Sequence, residues 1–378
     1  MNIIETEGLI IKSWAPDAEA GALTQAQALA KLSVARDWIA LMPDCHQGYG
    51  MPIGGVMATE NAIVPNAVGV DIGCGMIAVQ TNLTHIPTDT LKIIMGKVRE
   101  RIPLGFNHQK HPQTWAGFDT APDLPIIQQE LQSARKQLGT LGGGNHFIEI
   151  QRGSDDRIWL MIHSGSRNIG LKVAGTYHKL AQQACAEVDI PNKDLAFLRM
   201  ESGDGQDYYT AMNFCLDFAQ ANRDLMMRNL IDVIMEMQAI DFPIRVNIHH
   251  NYATWEHHNG RDVLVHRKGA TNAALGLAGI IPGSMGTASY ITEGLGNPES
   301  YQSCSHGAGR RMGRKEAKRT LVLEDEQAKM DGVVHGLRAE CDLDEAPGAY
   351  KDIDTVMANQ TDLVKINVSL RPLASIKG

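Results

Sequence analysis

Residues 68–76 read VGVDIGCGM. The run 68–72 is apolar and β-branched, the composition of a strand. It hands Asp71 to a turn in which glycines flank Cys74 on both sides. The arrangement recurs: RIWLMIH (157–163) ends on His163, and FPIRVNIHH (242–250) ends on His249 and His250. Further strand-like runs cover 38–42, 158–162, 246–249, 263–265 and 363–368. In α/β proteins ligands gather beyond the carboxyl ends of strands, which is where these runs carry their polar residues.

Helical periodicity covers 22–33, 88–101, 125–138, 171–187, 206–239 and 315–331. The fifth is long enough for two helices. Its methionines, Met212, Met226, Met227, Met235 and Met237, read as fillers of core gaps. Segments 107–124 and 333–352 read as loops. The second, with Glu340, Asp342, Asp344 and Glu345, reads as solvated surface. Neither marks a boundary, and the polar motifs run from residue 44 to residue 377. The expectation is one interleaved unit over 1–378: mixed α/β (α+β) with central sheets.

Composition narrows the class. In 378 residues, 43% are hydrophobic and 21% charged, the balance of a folded globular chain rather than a disordered or coiled-coil one. No apolar run reaches the roughly 18 residues of a membrane helix. The start, MNIIETEGLI, carries no basic segment before an apolar one, so the expected compartment is the cytoplasm. Six cysteines in a chain this long make no disulfide scaffold, and in a reducing compartment a special cysteine reads as a ligand or a nucleophile. A net charge of -8 means that nucleic acid, if bound, is bound by a local patch.

Glycine is the outlier, at 37 residues. It clusters in HQGYGMPIGG (46–55), VGVDIGCG (68–75), GTLGGGNH (139–146), PGSMG (282–286) and HGAG (306–309). Such loops can turn N–H groups toward an anion. Asp71, Cys74, His146, His163 and one of the His249/His250 pair make a transition-metal donor set. Neighbours on a strand face opposite ways, so only one of that pair can share the site. His306, in SCSHGAGR, is a candidate ligand, acid/base or nucleophile, since imidazole can attack phosphorus. After it, Arg310, Arg311, Arg314, Lys315, Lys318 and Arg319 form the densest basic run, either a solvated helix face or a phosphate-backbone patch.

The motifs MPDCHQGYG, GVDIGCGM, GGGNHFIEI, IHSGSRNIG, HHNYA, HRKGAT, IIPGSMG, SCSHGAGR and a terminal IKG occur in this order over nearly the whole chain. Together they resemble the RtcB family of RNA ligases. The resemblance implies a fold peculiar to that family. It also implies joining of an RNA 2′,3′-cyclic phosphate or 3′-phosphate to a 5′-hydroxyl with GTP and two Mn²⁺ ions. The partner implied is RNA, broken or spliced tRNA or rRNA, with an archease-type activator left open. By resemblance Asp71 and Cys74 are metal ligands, the thiolate bridging two ions. His146 and His163 are implied on one ion and His250 on the other. Asn145, His146, Phe147, Ile148, Glu149, His250, Asn251, Pro282, Gly283, Ser284, Met285, Ser289, His306, Gly307, Ala308, Gly309 and Lys377 match guanylate-binding positions, and His306 the residue that becomes guanylated. Asp44, in MPDCH, is expected to orient the His306 ring. Cysteine and histidine alone would favour zinc; the resemblance implies manganese. The competing readings are a metal-dependent phosphoesterase that opens RNA cyclic phosphate ends without joining them, and a non-catalytic RNA-end binding module acting through the basic run.

Overall fold

The computed structural model describes residues 1–378. Two sheets of mainly antiparallel strands carry the molecule. The larger has seven strands in the order Ile244–His249, Gly75–Gln80, Ile158–Ser164, Phe147–Gly153, Val364–Lys377, Ser289–Gly294 and Ala278–Ile281. The other has six: Asn2–Ile4, Ile10–Ser13, Ala35–His46, Ile53–Thr59, Arg261–Lys268 and Asn251–His258, with one parallel pair, Ile10–Ser13 on Ala35–His46.

Antiparallel pairing decides where the polar motifs meet. Gly75 pairs with Ser164 and His249, Phe147 with His163, and Lys377 with Phe147. Two strands therefore begin, and three end, at one edge of the large sheet. In the six-stranded sheet His46 pairs with Ile53, and Lys268 with Gly55 and Asn251. Here too starts and ends coincide. His250 is the single residue between Ile244–His249 of one sheet and Asn251–His258 of the other, so both sheet ends converge on it.

The expected strand at 68–72 is absent. Pro65 occupies the first turn of a short helix, Pro65–Val68, where proline's fixed φ is favourable. Gly69 (φ 96°) and Gly73 (φ 71°) then turn the chain, and the strand starts at Gly75. Asp71 and Cys74 thus precede a strand instead of ending one. The other strands are longer than expected, most of all Val364–Lys377.

Helix 88–101 lies where expected, as Thr88–Arg101. Ala20–Ala30, Pro125–Gln137 and Arg167–Ala184 shift by a few residues. The long pattern is one helix, Gly203–Met235, whose Ser202 hydroxyl accepts from the Gly205 N–H at 3.1 Å. Met212, Met226 and Met227 are buried in it, but Met235 is 50% exposed at its end. This helix and Thr88–Arg101 cover one face of the seven-stranded sheet, sharing a core with Ile77, Ile148, Leu160 and Ile376. The expected helix 315–331 is two, Arg314–Thr320 and Leu323–Ala328. Lys318 and Arg319 end the first and Glu324, Asp325 and Glu326 open the second, each set favourable to its own helix dipole. Within the expected loops lie three short 3₁₀ turns, Ala116–Phe118, Glu340–Glu345 and Pro347–Ala349. No helix is long and apolar enough to cross a membrane.

Candidate active site

The converging sheet ends open on a cleft of about 900 Å³ lined by Asp71, His146, His163, His306 and Lys377. At its base the Cys74 Sγ stands 3.4 Å from His146 Nε2 and 3.2 Å from His163 Nε2. His163 Nε2 is 3.3 Å from His250 Nε2, and His146 Nε2 is 3.1 Å from Asp71 Oδ2. The donors form two triads, Asp71–Cys74–His146 and Cys74–His163–His250, with Cys74 in both. This division differs from the expected one: His163 belongs with His250, and His146 with the carboxylate.

The ring orientations follow from backbone partners. His146 Nδ1 donates to Leu141 O at 2.9 Å, and His163 Nδ1 to Asn145 O at 3.1 Å. A neutral imidazole carries one N–H, so both Nε2 lone pairs face the sulfur with no proton to share. Burial first, then neighbouring imidazoles, pushes His163 and His250 well below the ordinary histidine range. Burial, and then the Asp71 charge, pushes the Cys74 thiol well up. Converging lone pairs on neutral rings beside a bridging sulfur fit a pair of divalent cations, which would turn the thiol into thiolate. The backbone acceptors on Nδ1 are the usual outer support of histidine ligands.

His249 points the other way. Its Nδ1 lies 3.0 Å from Gly73 O and 3.2 Å from Arg223 Nη2, and burial, then the Arg223 charge, holds it at about 3. Only His250 enters the centre.

His306 follows the short strand Ser303–Ser305. Its Nδ1 lies 2.6 Å from Asp44 Oδ2, which also accepts the His306 backbone N–H at 3.1 Å. Asp44 is fully buried, so the ring is fixed with Nδ1–H on the carboxylate and the Nε2 lone pair free. The His306 and His250 ring centroids are 4.8 Å apart. Gly309 (φ 73°) makes this approach possible, since a Cβ there would sit 2.3 Å from Asp44 O.

The guanylate-matching residues divide. Asn145, Phe147, Pro282, Gly283, Gly307, Ala308, Gly309 and Lys377 line the cleft with His146 and His306. Met285 and Lys377 also border an adjoining cavity of about 430 Å³. Glu149 lies buried on the Phe147 side of its strand, bonded to Ser375 Oγ (3.0 Å) and Gln151 Nε2 (2.7 Å). Burial raises its carboxyl above the usual range, against the Lys377 charge. Ile148 faces the opposite way into the core. Asn251 is a brace: its Nδ2 donates to Asp71 O at 3.1 Å, and its Oδ1 accepts from Gly269 N–H at 2.8 Å. Ser284 and Ser289 likewise tie their own loop, to Thr287 and to Gly283 N–H. Lys377 is held in a strand, its Nζ 4.9 Å from the Phe147 ring centre.

The basic run is largely paired. Arg310 and Arg314 both reach Glu345, at 3.0 and 3.2 Å, and Lys318 reaches Asp344 at 3.5 Å. Arg311 donates to Gly348 O at 2.9 Å. The acidic segment is therefore only partly the expected solvated surface: Glu340 is exposed, whereas Glu345 is buried among these cations. Lys315 and Arg319 remain exposed and unpaired by any carboxylate.

Two supports escaped the sequence reading. Asn222 accepts the Gly139 and Thr140 N–H groups at 2.7 and 3.1 Å. Arg223, fully buried, donates from Nη1 to Gly73 O and Ser164 O, both at 2.9 Å, and from Nε to Asn247 Oδ1 at 2.8 Å. Burial draws Arg223 down to about 10. Adjacent on the long helix, these two hold the loops that carry the ligands. The signal was present, because Asn222 continues the apolar row Phe218–Met226–Leu230, and Arg223 the row Ala219–Met227.

Fold and site define a mixed α/β protein in which two potential metal-binding triads that share Cys74 face a carboxylate-held histidine. Comparison with known proteins makes this specific. The profile of the family described as tRNA-splicing ligase RtcB matches residues 25–378. The chain is 39% identical to the RNA-splicing ligase RtcB of Escherichia coli (strain K12), covering 100% of this chain and 99% of that one. It is 30% identical to the tRNA-splicing ligase RtcB of Thermococcus kodakarensis, over 94% and 91% of the two chains. Against the RNA-splicing ligase RtcB of Mycobacterium tuberculosis it is 32% identical, over 89% and 96%. The chain belongs to the RtcB family of RNA ligases.

Proposed function

We propose that this protein joins RNA 2′,3′-cyclic phosphate or 3′-phosphate ends to 5′-hydroxyl ends, with GTP and manganese, through a guanylated His306. The observation that carries the reading is the His306–Asp44 pair beside His250: a fixed ring with a free Nε2 next to a two-triad metal centre. Two divalent cations, held by Asp71, Cys74 and His146 and by Cys74, His163 and His250, would neutralise phosphate charge and polarise the phosphorus under attack.

His306 Nε2 attacks the α-phosphorus of GTP. An N–P bond forms, the bond to the bridging oxygen breaks, and pyrophosphate leaves. Asp44 holds the Nδ1 proton and balances the charge that the ring gains. A 3′-phosphate oxygen of the RNA then displaces His306 from phosphorus, giving RNA(3′)pp(5′)G and returning the lone pair to Nε2. The 5′-hydroxyl attacks the activated 3′-phosphorus and expels GMP as its own proton leaves. A cyclic end must first be opened by water to the 3′-phosphate. Lys377 and the Pro282–Met285 segment hold the guanylate. The substrates are broken or spliced tRNA or damaged rRNA, and the compartment is a reducing cytoplasm, where Cys74, unpaired like the other five cysteines, stays available to metal.

Incubation with GTP labelled at the α-phosphate and Mn²⁺, followed by a denaturing gel, tests this. Wild type should give a labelled band that acid removes and base does not. His306→Ala should lose the band yet still join RNA carrying a preformed guanylylated 3′ end. A band persisting in His306→Ala places the nucleophile elsewhere. Opening of cyclic ends with no band in wild type means a phosphoesterase.

A further inference from the structure

Four aromatic side chains stand among the exposed large apolar residues: Tyr49, Phe106, Phe242 and Trp255. Two of them, Tyr49 and Phe106, lie on the rim of the catalytic cleft. Phe106 is fully exposed, and Tyr49 is 76% exposed. An isolated exposed apolar residue needs no explanation. Two aromatics on one rim, each on a loop tied down from beneath, do.

Phe106 follows Gly105, whose φ of 60° turns the chain outward. The Gly105 N–H donates to Gly142 O at 2.8 Å, and its carbonyl accepts from Arg167 Nη2 at 3.0 Å. Asn107 closes the loop by donating from Nδ2 to Leu104 O at 3.1 Å. The backbone that carries the ring is thus held beside the glycine segment that leads to His146. Tyr49 lies on the loop leaving the Asp44 strand. Its carbonyl accepts from the buried Lys268 Nζ. The neighbouring Gly48 exchanges two hydrogen bonds with the Gln25 amide, at 2.6 and 3.0 Å. Both rings therefore extend from anchored backbone, Phe106 with its whole surface free and Tyr49 with about three-quarters of it.

The rest of the lining identifies the occupant. Arg310 and Arg314 share the single carboxylate of Glu345, which leaves a positive charge over, and Lys377 faces the same cleft; this net positive lining suits a phosphate backbone, while rings with free faces suit unstacked bases. An apolar protein surface would not call for cations in the same cleft as the aromatics. We infer that Phe106 and Tyr49 are stacking platforms for unpaired nucleobases of the two RNA ends, Phe106 on the metal-ligand side and Tyr49 on the His306 side. The inference rests on the RNA-ligase reading of the same cleft.

The test couples the ring to the base. Binding of short single-stranded 3′-phosphate and 5′-hydroxyl RNAs is measured by fluorescence anisotropy, with an abasic nucleotide walked through the terminal positions. Loss of a stacked base should weaken binding to wild type about tenfold or more. Phe106→Ala should weaken intact RNA by a like factor and lose most of its sensitivity to the abasic site. Phe106→Trp should keep both. Tyr49→Ala and Tyr49→Phe should behave as the matching pair. Full exposure of Phe106 means that thermal melting of Phe106→Ala should match wild type. Equal loss on intact and abasic RNA, or no loss, overturns the platforms. Joining is scored alongside. Wild type that joins while Phe106→Ala binds normally sinks the platforms alone. Wild type that never joins, yet shows the base-dependent loss, sinks the ligase reading alone.

Discussion

Replacing Arg223 with methionine removes one buried guanidinium and keeps most of its apolar stem. Arg223 is fully buried and donates to two backbone carbonyls, Gly73 O and Ser164 O, at 2.9 Å. Gly73 adjoins Cys74, and Ser164 adjoins His163. No donor of methionine can replace these bonds. A buried polar group left without a partner costs about 1–3 kcal/mol, so two carbonyls cost about 2–6 kcal/mol. Relief of the arginine's own desolvation offsets part of this, leaving a loss of about 3 kcal/mol, a factor of about 150 in the folding equilibrium. The loss falls on the turn and strand end that hold Cys74 and His163. Metal affinity should therefore drop about 10- to 100-fold, as when outer supports of ligands are removed. Urea unfolding of the metal-free chain by far-UV circular dichroism reads the first quantity, and calorimetric titration with Mn²⁺ reads the second. Arg223→Lys should fall between, since one ammonium cannot span acceptors on Gly73, Ser164 and Asn247. A wild-type midpoint together with wild-type Mn²⁺ affinity in Arg223→Met would refute the argument that this guanidinium holds the two ligand loops.

Two further outcomes are expected. Burial holds His266 at about 4, with Nε2 accepting the Val64 N–H at 3.0 Å. The unfolded chain takes up this proton near pH 6.5. The contribution to stability is therefore complete above pH 6.5 and lost as pH falls toward 4, by about 3 kcal/mol in all; urea midpoints of His266→Gln should be flatter across that window, and parallel curves would contradict this. Lys315 and Arg319 are the unpaired cations of the basic run, whereas Arg310 is engaged by Glu345. Lys315→Ala and Arg319→Ala should each reduce the slope of log RNA affinity against log salt by about one, and an unchanged slope would remove the helix from the RNA path.

The donor set was readable in the sequence because each of its members stands beside a glycine turn or at a strand end. What the sequence concealed was non-local. The 68–72 run has strand composition, yet Pro65 and two left-handed glycines make it a helix and a turn. The strand-end motifs suggested ligands beyond the carboxyl ends of strands alone, whereas antiparallel register brings the starts of Gly75–Gln80 and Phe147–Gly153 to the same edge as the ends of their partners. Register depends on pairing between segments up to hundreds of residues apart, so no local pattern reports it. The break in 315–331 was local, and the change from Lys318 and Arg319 to Glu324, Asp325 and Glu326 marks it.

The same non-local logic links folding to the metal centre. His250 N–H donates to Cys74 O at 2.8 Å, and Gly73 N–H to Asn251 O at 2.9 Å. The turn of one triad is thereby laced to the histidine of the other. Asn222 and Arg223 come from a single turn of one helix and hold, respectively, the 139–140 backbone upstream of His146 and the carbonyls beside Cys74 and His163. Neither triad can keep its geometry if that helix moves, and both lose support together if it unfolds. Without cations the centre sets three buried imidazoles against one thiol, an arrangement the helix must hold unaided. Cation binding relieves that opposition only in the folded chain, so it should stabilise the long helix and both ligand loops as one cooperative unit.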